Sequence, residues 1–145
     1  MTSGDTGSAR SSEIAVSDEL PGFDLAVTSM VIVAAAIASR DFVPAHNHPE
    51  LAKAQGAPDT FMNVPTTNGY VARFVTDWAG PEAMVRSIAI RLGAPAIPGQ
   101  PLRFRCQVTK TREDGDERII EMSVRAANDL GDHATGTVII GLPLS

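Results

Sequence analysis

The chain has 145 residues, 43% of them hydrophobic, enough apolar mass for one globular core and too little length for two. Asp and Glu number 17 against 12 Lys and Arg, and the basic residues are scattered, so no basic face for nucleic acid is expected. The longest apolar run, Met30 to Ala38, spans nine residues, about half of the roughly 18 to 20 that a membrane-crossing helix needs. A soluble chain with no membrane association is therefore expected.

Residues 1–19 are rich in Ser, Thr, Gly and Asp and nearly empty of large apolar groups, which predicts a flexible leader ahead of a single domain over 20–145. The opening MTSGDTGSARSSE lacks the apolar stretch of a secretory signal, and the lone Cys106 cannot form an internal disulfide. A reducing compartment follows, with the cytoplasm as the simplest address. From Leu20 the texture changes. Phe23, Leu25 and Val27 alternate with smaller or polar neighbours, and the β-branched group Val31, Ile32 and Val33 runs into AAAIAS, so a strand feeding a short helix is expected to end near Arg40.

Pro44 biases Val43 away from helical dihedrals, so DFVPAH reads as an extended or turning loop. HPELAKAQ then reads as a short helix with Pro49 in its first turn. Asp41 and His46 are thereby placed on a loop between two helices. In Thr66–Ala79, the residues Tyr70, Val71, Phe74, Val75 and Trp78 fall at helical spacing, and Gly80 and Pro81 end the pattern.

Strands follow with little helix between them. Ile88, Ile90 and Leu92 alternate with Ala89 and Arg91, and Leu102, Phe104, Cys106 and Val108 alternate with Arg103, Arg105, Gln107 and Thr109. Glu113 to Asp116 has hairpin chemistry, after which Ile120, Met122, Val124 and Ala126 alternate with polar residues. A second turn over Asn128 to Asp132 returns the chain for HATGTVIIGL. One long helix ahead of a run of antiparallel strands is an α+β order in which the sheet wraps the helix. No internal repeat is visible.

SRDFVPAH resembles the hydratase loop of the MaoC-like, R-specific enoyl-CoA hydratases, in which an Asp stands five residues before a His with a Pro between them. Asp41, Pro44 and His46 match that pattern. The resemblance runs over most of the chain from about Leu20. Through AQG, TDWAG, IRLG and LGDHATGTV it is very similar to the small subunits of heteromeric hydratases that act on steroid side-chain CoA thioesters in actinobacteria. The resemblance implies a single hotdog fold, an antiparallel sheet wrapped around a central helix. It also implies an acyl-CoA substrate, hydration of its 2,3 double bond, and a second MaoC-like subunit in a heterodimer or heterotetramer. Asp41 and His46 are then the catalytic pair, and no cofactor is implied beyond the CoA carried by the substrate. Family comparison places an oxyanion-binding backbone amide eighteen residues after the His, at Val64, where the family usually has Gly. Val43 likewise stands where bacterial members often carry Asn.

The chemistry gives an independent reason for such a pair. Hydration needs a group that takes a proton from water as it attacks C3, and a proton for C2 as the thioester enolate collapses. A carboxylate and an imidazole can hold one water between them, and either can serve as the base. Enolate charge on the thioester oxygen calls for a donor, such as an unpaired amide at a helix start.

Each candidate has an ordinary alternative. An Asp before a Pro-containing loop commonly caps a turn, a loop His is commonly a surface residue, and His48 reads as a neighbour of the following helix start. His46 and His48, alternate residues in an irregular loop without a third ligand, give no basis for a metal site. His133 reads as structural or solvent-facing. The Phe74 and Trp78 stripe reads as core, with Tyr70 or its neighbours as candidates to line an acyl tunnel. Arg86, Arg91, Arg103 and Arg105 read as solvated, with one or two available for CoA phosphates. Two other functions stay in view: a hotdog thioesterase and a non-catalytic, pocket-shaping subunit. Many hotdog thioesterases draw a carboxylate from the start of the central helix, and PTTNGY offers none.

Overall fold

The computed structural model describes residues 11–144. The expected leader over 1–19 falls partly outside them, at residues 1–10. Within the described part, Ser11–Glu13 forms a turn of 3-10 helix, and Ile14 and Leu20 are buried in the core. Backbone bonds from Ser17 and Leu20 to the carbonyls of Val108 and Cys106 lay residues 17–20 along the sheet edge. Two apolar side chains and a strand edge in need of partners thus draw this segment into contact, despite its polar composition.

The sheet contains β1 (Phe23–Leu25), β2 (Met84–Leu92), β3 (Leu102–Asp114), β4 (Glu117–Asn128) and β5 (Gly131–Pro143) in the order β1-β3-β4-β5-β2, with every pairing antiparallel. The β3–β4 hairpin closes on Gly115 and Asp116, and Gly115 supplies the positive φ of 63° that a two-residue turn requires. At the β4–β5 turn the Asn128 side chain accepts from Leu130 N–H at 2.9 Å. Both turns fall where their sequence chemistry predicts.

The helices are α1 (Ser29–Ala38), α2 (Pro49–Ala54) and α3 (Val64–Ala79). Val31, Ile32 and Val33 are helical, because Thr28 caps Val31 N–H and starts α1 ahead of them. The central helix α3 begins two residues before Thr66, since Asn63 caps it and Pro65 is tolerated in its first turn. Val71, Phe74, Val75 and Ala79 bury its inner face against Leu102, Phe104, Val108, Ile120, Met122, Val138 and Ile140. Phe104 is fully buried and meets Phe23 and Phe74 with ring centroids 5.5 and 6.0 Å away. The sheet therefore wraps α3 as a hotdog. Ile88 and Ile90 are half-buried as expected, but Leu92 is 37% exposed, because it ends β2 at the mouth of a cleft. Among the described residues no helix is long and apolar enough to cross a membrane.

Candidate active site

The C-terminus of α1 aims Asp41. Arg40 N–H and Asp41 N–H bond back to the carbonyls of Ile37 and Ala36, the pattern of a Schellman stop, with Arg40 at φ 56° where Gly is usual. Asp41 Oδ1 accepts from Val43 N–H at 3.3 Å, and Pro44–His46 then forms one 3-10 turn. This compact return brings the two side chains together, with His46 Nε2 3.3 Å from Asp41 Oδ2. His46 has an 8% exposed side chain and Asp41 a 24% exposed one. The pair is thus sheltered but open on the carboxylate side.

The tautomer of His46 follows from its other nitrogen. Nδ1 lies 2.7 Å from the Phe61 carbonyl, which can only accept, so Nδ1 carries a proton. In the neutral ring Nε2 is then a lone pair facing a carboxylate. Two acceptors at that separation are satisfied by a water that donates one hydrogen to each, or by a proton on the imidazole.

Asn63 completes the arrangement. It is 3% exposed, and its amide donates to Asp41 Oδ2 at 3.0 Å and Ser39 Oγ at 2.9 Å. Its Oδ1 accepts from Thr66 N–H at 3.2 Å and from the Thr66 hydroxyl. The Asn63 amide, followed by Val43 N–H and the nearby His46, holds the Asp41 carboxyl below its ordinary value against the opposing effect of desolvation. Asp41 is therefore ionised at neutral pH.

These residues face a cleft of about 530 Å³, walled by Phe61, Met62, Val64, Pro65, Leu92, Ala94 and Pro95. Val64 is the first residue of α3, so its amide lacks an intrahelical acceptor. Pro65 has no N–H, while Thr66 N–H and Thr67 N–H are taken by Asn63. Among the described residues Val64 N–H is the amide of that first turn without a hydrogen-bond acceptor.

His133 differs from its reading as a structural or solvent-facing residue in one respect. It is 2% exposed, yet it lines the same cleft. Its Nδ1 donates to the Ala94 carbonyl at 2.7 Å, and its Nε2 lies 2.8 Å from Thr67 Oγ1. His48 is exposed at the start of α2 and stands outside the cleft. Tyr70 packs on Phe23 and lines a separate groove with Ala35, Ser39 and Arg73. Arg86, Arg103 and Arg105 pair with Glu117, Asp129 and Asp24. Among the described residues no three His, Cys, Asp or Glu side chains gather at metal-binding range. Sequence reasoning missed Asn63 and Ser39. The legible signal was an Asn-x-Pro entry into the long apolar helix, which marks a cap but not the second use of its amide.

Fold and site together define a hotdog protein whose loop-borne Asp and His open onto an apolar cleft beside a helix N-terminus. No family model matches the chain. It is 42% identical over 123 residues to the 3-oxo-4,17-pregnadiene-20-carboxyl-CoA hydratase beta subunit of Mycobacterium tuberculosis (strain ATCC 25618 / H37Rv), covering 85% of this chain and 92% of that protein. Against a chain in the crystal structure of the ChsH1–ChsH2 complex from Mycobacterium tuberculosis the TM-score is 0.83 at 41% identity, covering 88% of this chain and 98% of that one. The unliganded R-hydratase PhaJ1 from Pseudomonas aeruginosa shares the fold, with a TM-score of 0.83 at 16% identity over 94% of this chain and 86% of that one. The chain belongs to the MaoC-like enoyl-CoA hydratase family.

Proposed function

We propose that this chain is a hydratase subunit that adds water across the 2,3 double bond of a steroid side-chain enoyl-CoA, using Asp41 and His46 as its acid–base pair. The observation that carries this reading is the pair of acceptors, Asp41 Oδ2 and His46 Nε2, 3.3 Å apart at the wall of an apolar cleft. A water donating to both presents its oxygen lone pair to C3. As the C3–O bond forms, the water proton passes to the pair, and the C2=C3 π electrons move toward the thioester carbonyl. The Val64 N–H donates to that oxygen as negative charge develops on it. The pair then returns a proton to C2, so one water is added, the thioester is kept and the pair is regenerated. No electron leaves or enters, so the reaction calls for no redox cofactor.

The steroid acyl group is supported by the relative's name and by an apolar cleft wall whose described residues include no Asp, Glu, Lys or Arg apart from Asp41. A second MaoC-like subunit is supported by the complex in which the similar crystal chain was found, and by β2, an edge strand that carries Met84 56% exposed. The first turn of α3 contains no acidic residue, which speaks against thioesterase chemistry. The test is to purify the full chain with whatever subunit accompanies it and assay crotonyl-CoA beside a ring-bearing steroid enoyl-CoA. Faster turnover of the steroid thioester, with the thioester retained, is expected. Preference for crotonyl-CoA would remove the steroid assignment, and release of free CoA thiol would remove hydration.

A further inference from the structure

We infer that Asn63 is a positioning residue for the water-activating pair, fixing the Asp41 carboxylate beside His46 and tying it to the first turn of α3. This rests on the hydratase reading above and extends it to the residue that sets the geometry. An asparagine amide offers two donors and an oxygen with two lone pairs. Asn63 commits all of them, the amide to Asp41 and Ser39 and the oxygen twice to Thr66. Reversing the amide would turn its oxygen toward a carboxylate and its NH2 toward a backbone N–H, so the surroundings dictate one orientation. The Ser39 hydroxyl is held in turn by the carbonyls of Ala35 and Ala36. The end of α1, the start of α3 and the carboxylate are thereby locked through one buried side chain.

The consequence is registry between the two halves of the reaction. Asn63 holds Asp41 from its side chain, while its immediate neighbour Val64 presents the N–H assigned to the thioester oxygen. The attacking water and the developing oxyanion are thus placed by adjacent residues on one rigid helix start, where a displacement of 1 Å costs about 10²-fold in rate.

Asn63→Asp keeps a capping oxygen for Thr66 N–H but replaces the donor facing Asp41 with a second carboxylate oxygen. The acid limb of kcat/KM against pH is expected to move upward by about one unit or more, with kcat lowered about 10-fold or more and KM nearly unchanged. Asn63→Ser, which caps equally well and carries no charge, should move the limb in the same direction by less. The assay uses the full chain with its accompanying subunit and the enoyl-CoA that the wild type hydrates fastest. A carboxyl-carbon NMR titration of Asp41 in wild type and Asn63→Ser reads the same effect without activity. Unmoved limbs and an unmoved Asp41 titration in folded variants would overturn the inference, as would activity lost in proportion to stability with an unchanged pH profile. Asp41→Asn serves as the control: undiminished hydration there defeats the catalytic pair itself, an outcome separate from failure of the Asn63 inference.

Discussion

His46 divides its labour between two ring nitrogens, and that division is what makes the loop chemically useful. With Nδ1 donating to the Phe61 carbonyl, Nε2 is the atom left to exchange a proton beside Asp41. Asp41→Asn or His46→Gln is expected to lower kcat/KM by about 10²- to 10⁴-fold. Because the two groups act on one water, the double variant should lose little more than either single one. Steady-state rates of the four proteins check this; additive losses would indicate separate roles. Cys106 shows the opposite environment, a thiol pushed up to about 12 by burial, with the Gln107 amide pulling weakly the other way. Native protein should resist iodoacetamide at mildly alkaline pH, whereas denatured chain should be alkylated at Cys106, as intact mass would reveal.

At the scale of elements, one buried side chain governs how the sheet meets α3 and one glycine governs how β2 meets β5. Phe104 sits at the centre of the ring cluster formed with Phe23, Tyr70 and Phe74. Phe104→Ala should destabilise the fold by about 3–5 kcal/mol in denaturant titrations, through lost burial and the cavity left behind. Gly136 lies on β5 where a Cβ would collide with the backbone of Ala89 and Ile90 on β2. Gly136→Ala should therefore push β2 off the sheet and displace Leu92, which walls the cleft. The expected signature is faster amide exchange across Ile88–Leu92 and a raised KM; unchanged exchange there would show that the strands accommodate a methyl group.

For the whole molecule, the buried His133 makes stability depend on pH. Desolvation depresses its imidazole below the ordinary 6.5, with the Ala94 carbonyl opposing. The unfolded chain therefore takes up a proton at a pH where the folded chain remains neutral. Its contribution is complete above the unfolded value and is lost progressively as pH falls toward the lower folded value. Unfolding free energy should decline as pH falls below the ordinary imidazole value of 6.5, and His133→Gln should flatten that decline even if it lowers stability throughout. The Asp41 carboxyl works in the same direction in a lower window, beneath its ordinary 3.8, so the two effects separate in a pH series.

Residue types and spacing alone determined the α+β order, the alternation of β3 and β4, both hairpin turns and the long apolar helix, whereas the pairing of Asp41 with His46 followed from the resemblance of SRDFVPAH to the hydratase loop. The elements and turns are local signals, because strand and helix periods and turn chemistry act over a few neighbouring residues. The tertiary structure decided what depends on contacts between distant segments. Phe61 selects the His46 tautomer from fifteen residues away, Asn63 reaches Asp41 across twenty-two, and β5 carries His133 to Thr67 across sixty-six. Hydrogen-bonding partners of this kind leave no periodicity in the chain. They exist only once the sheet has wrapped α3 and burial obliges each polar atom to find a partner.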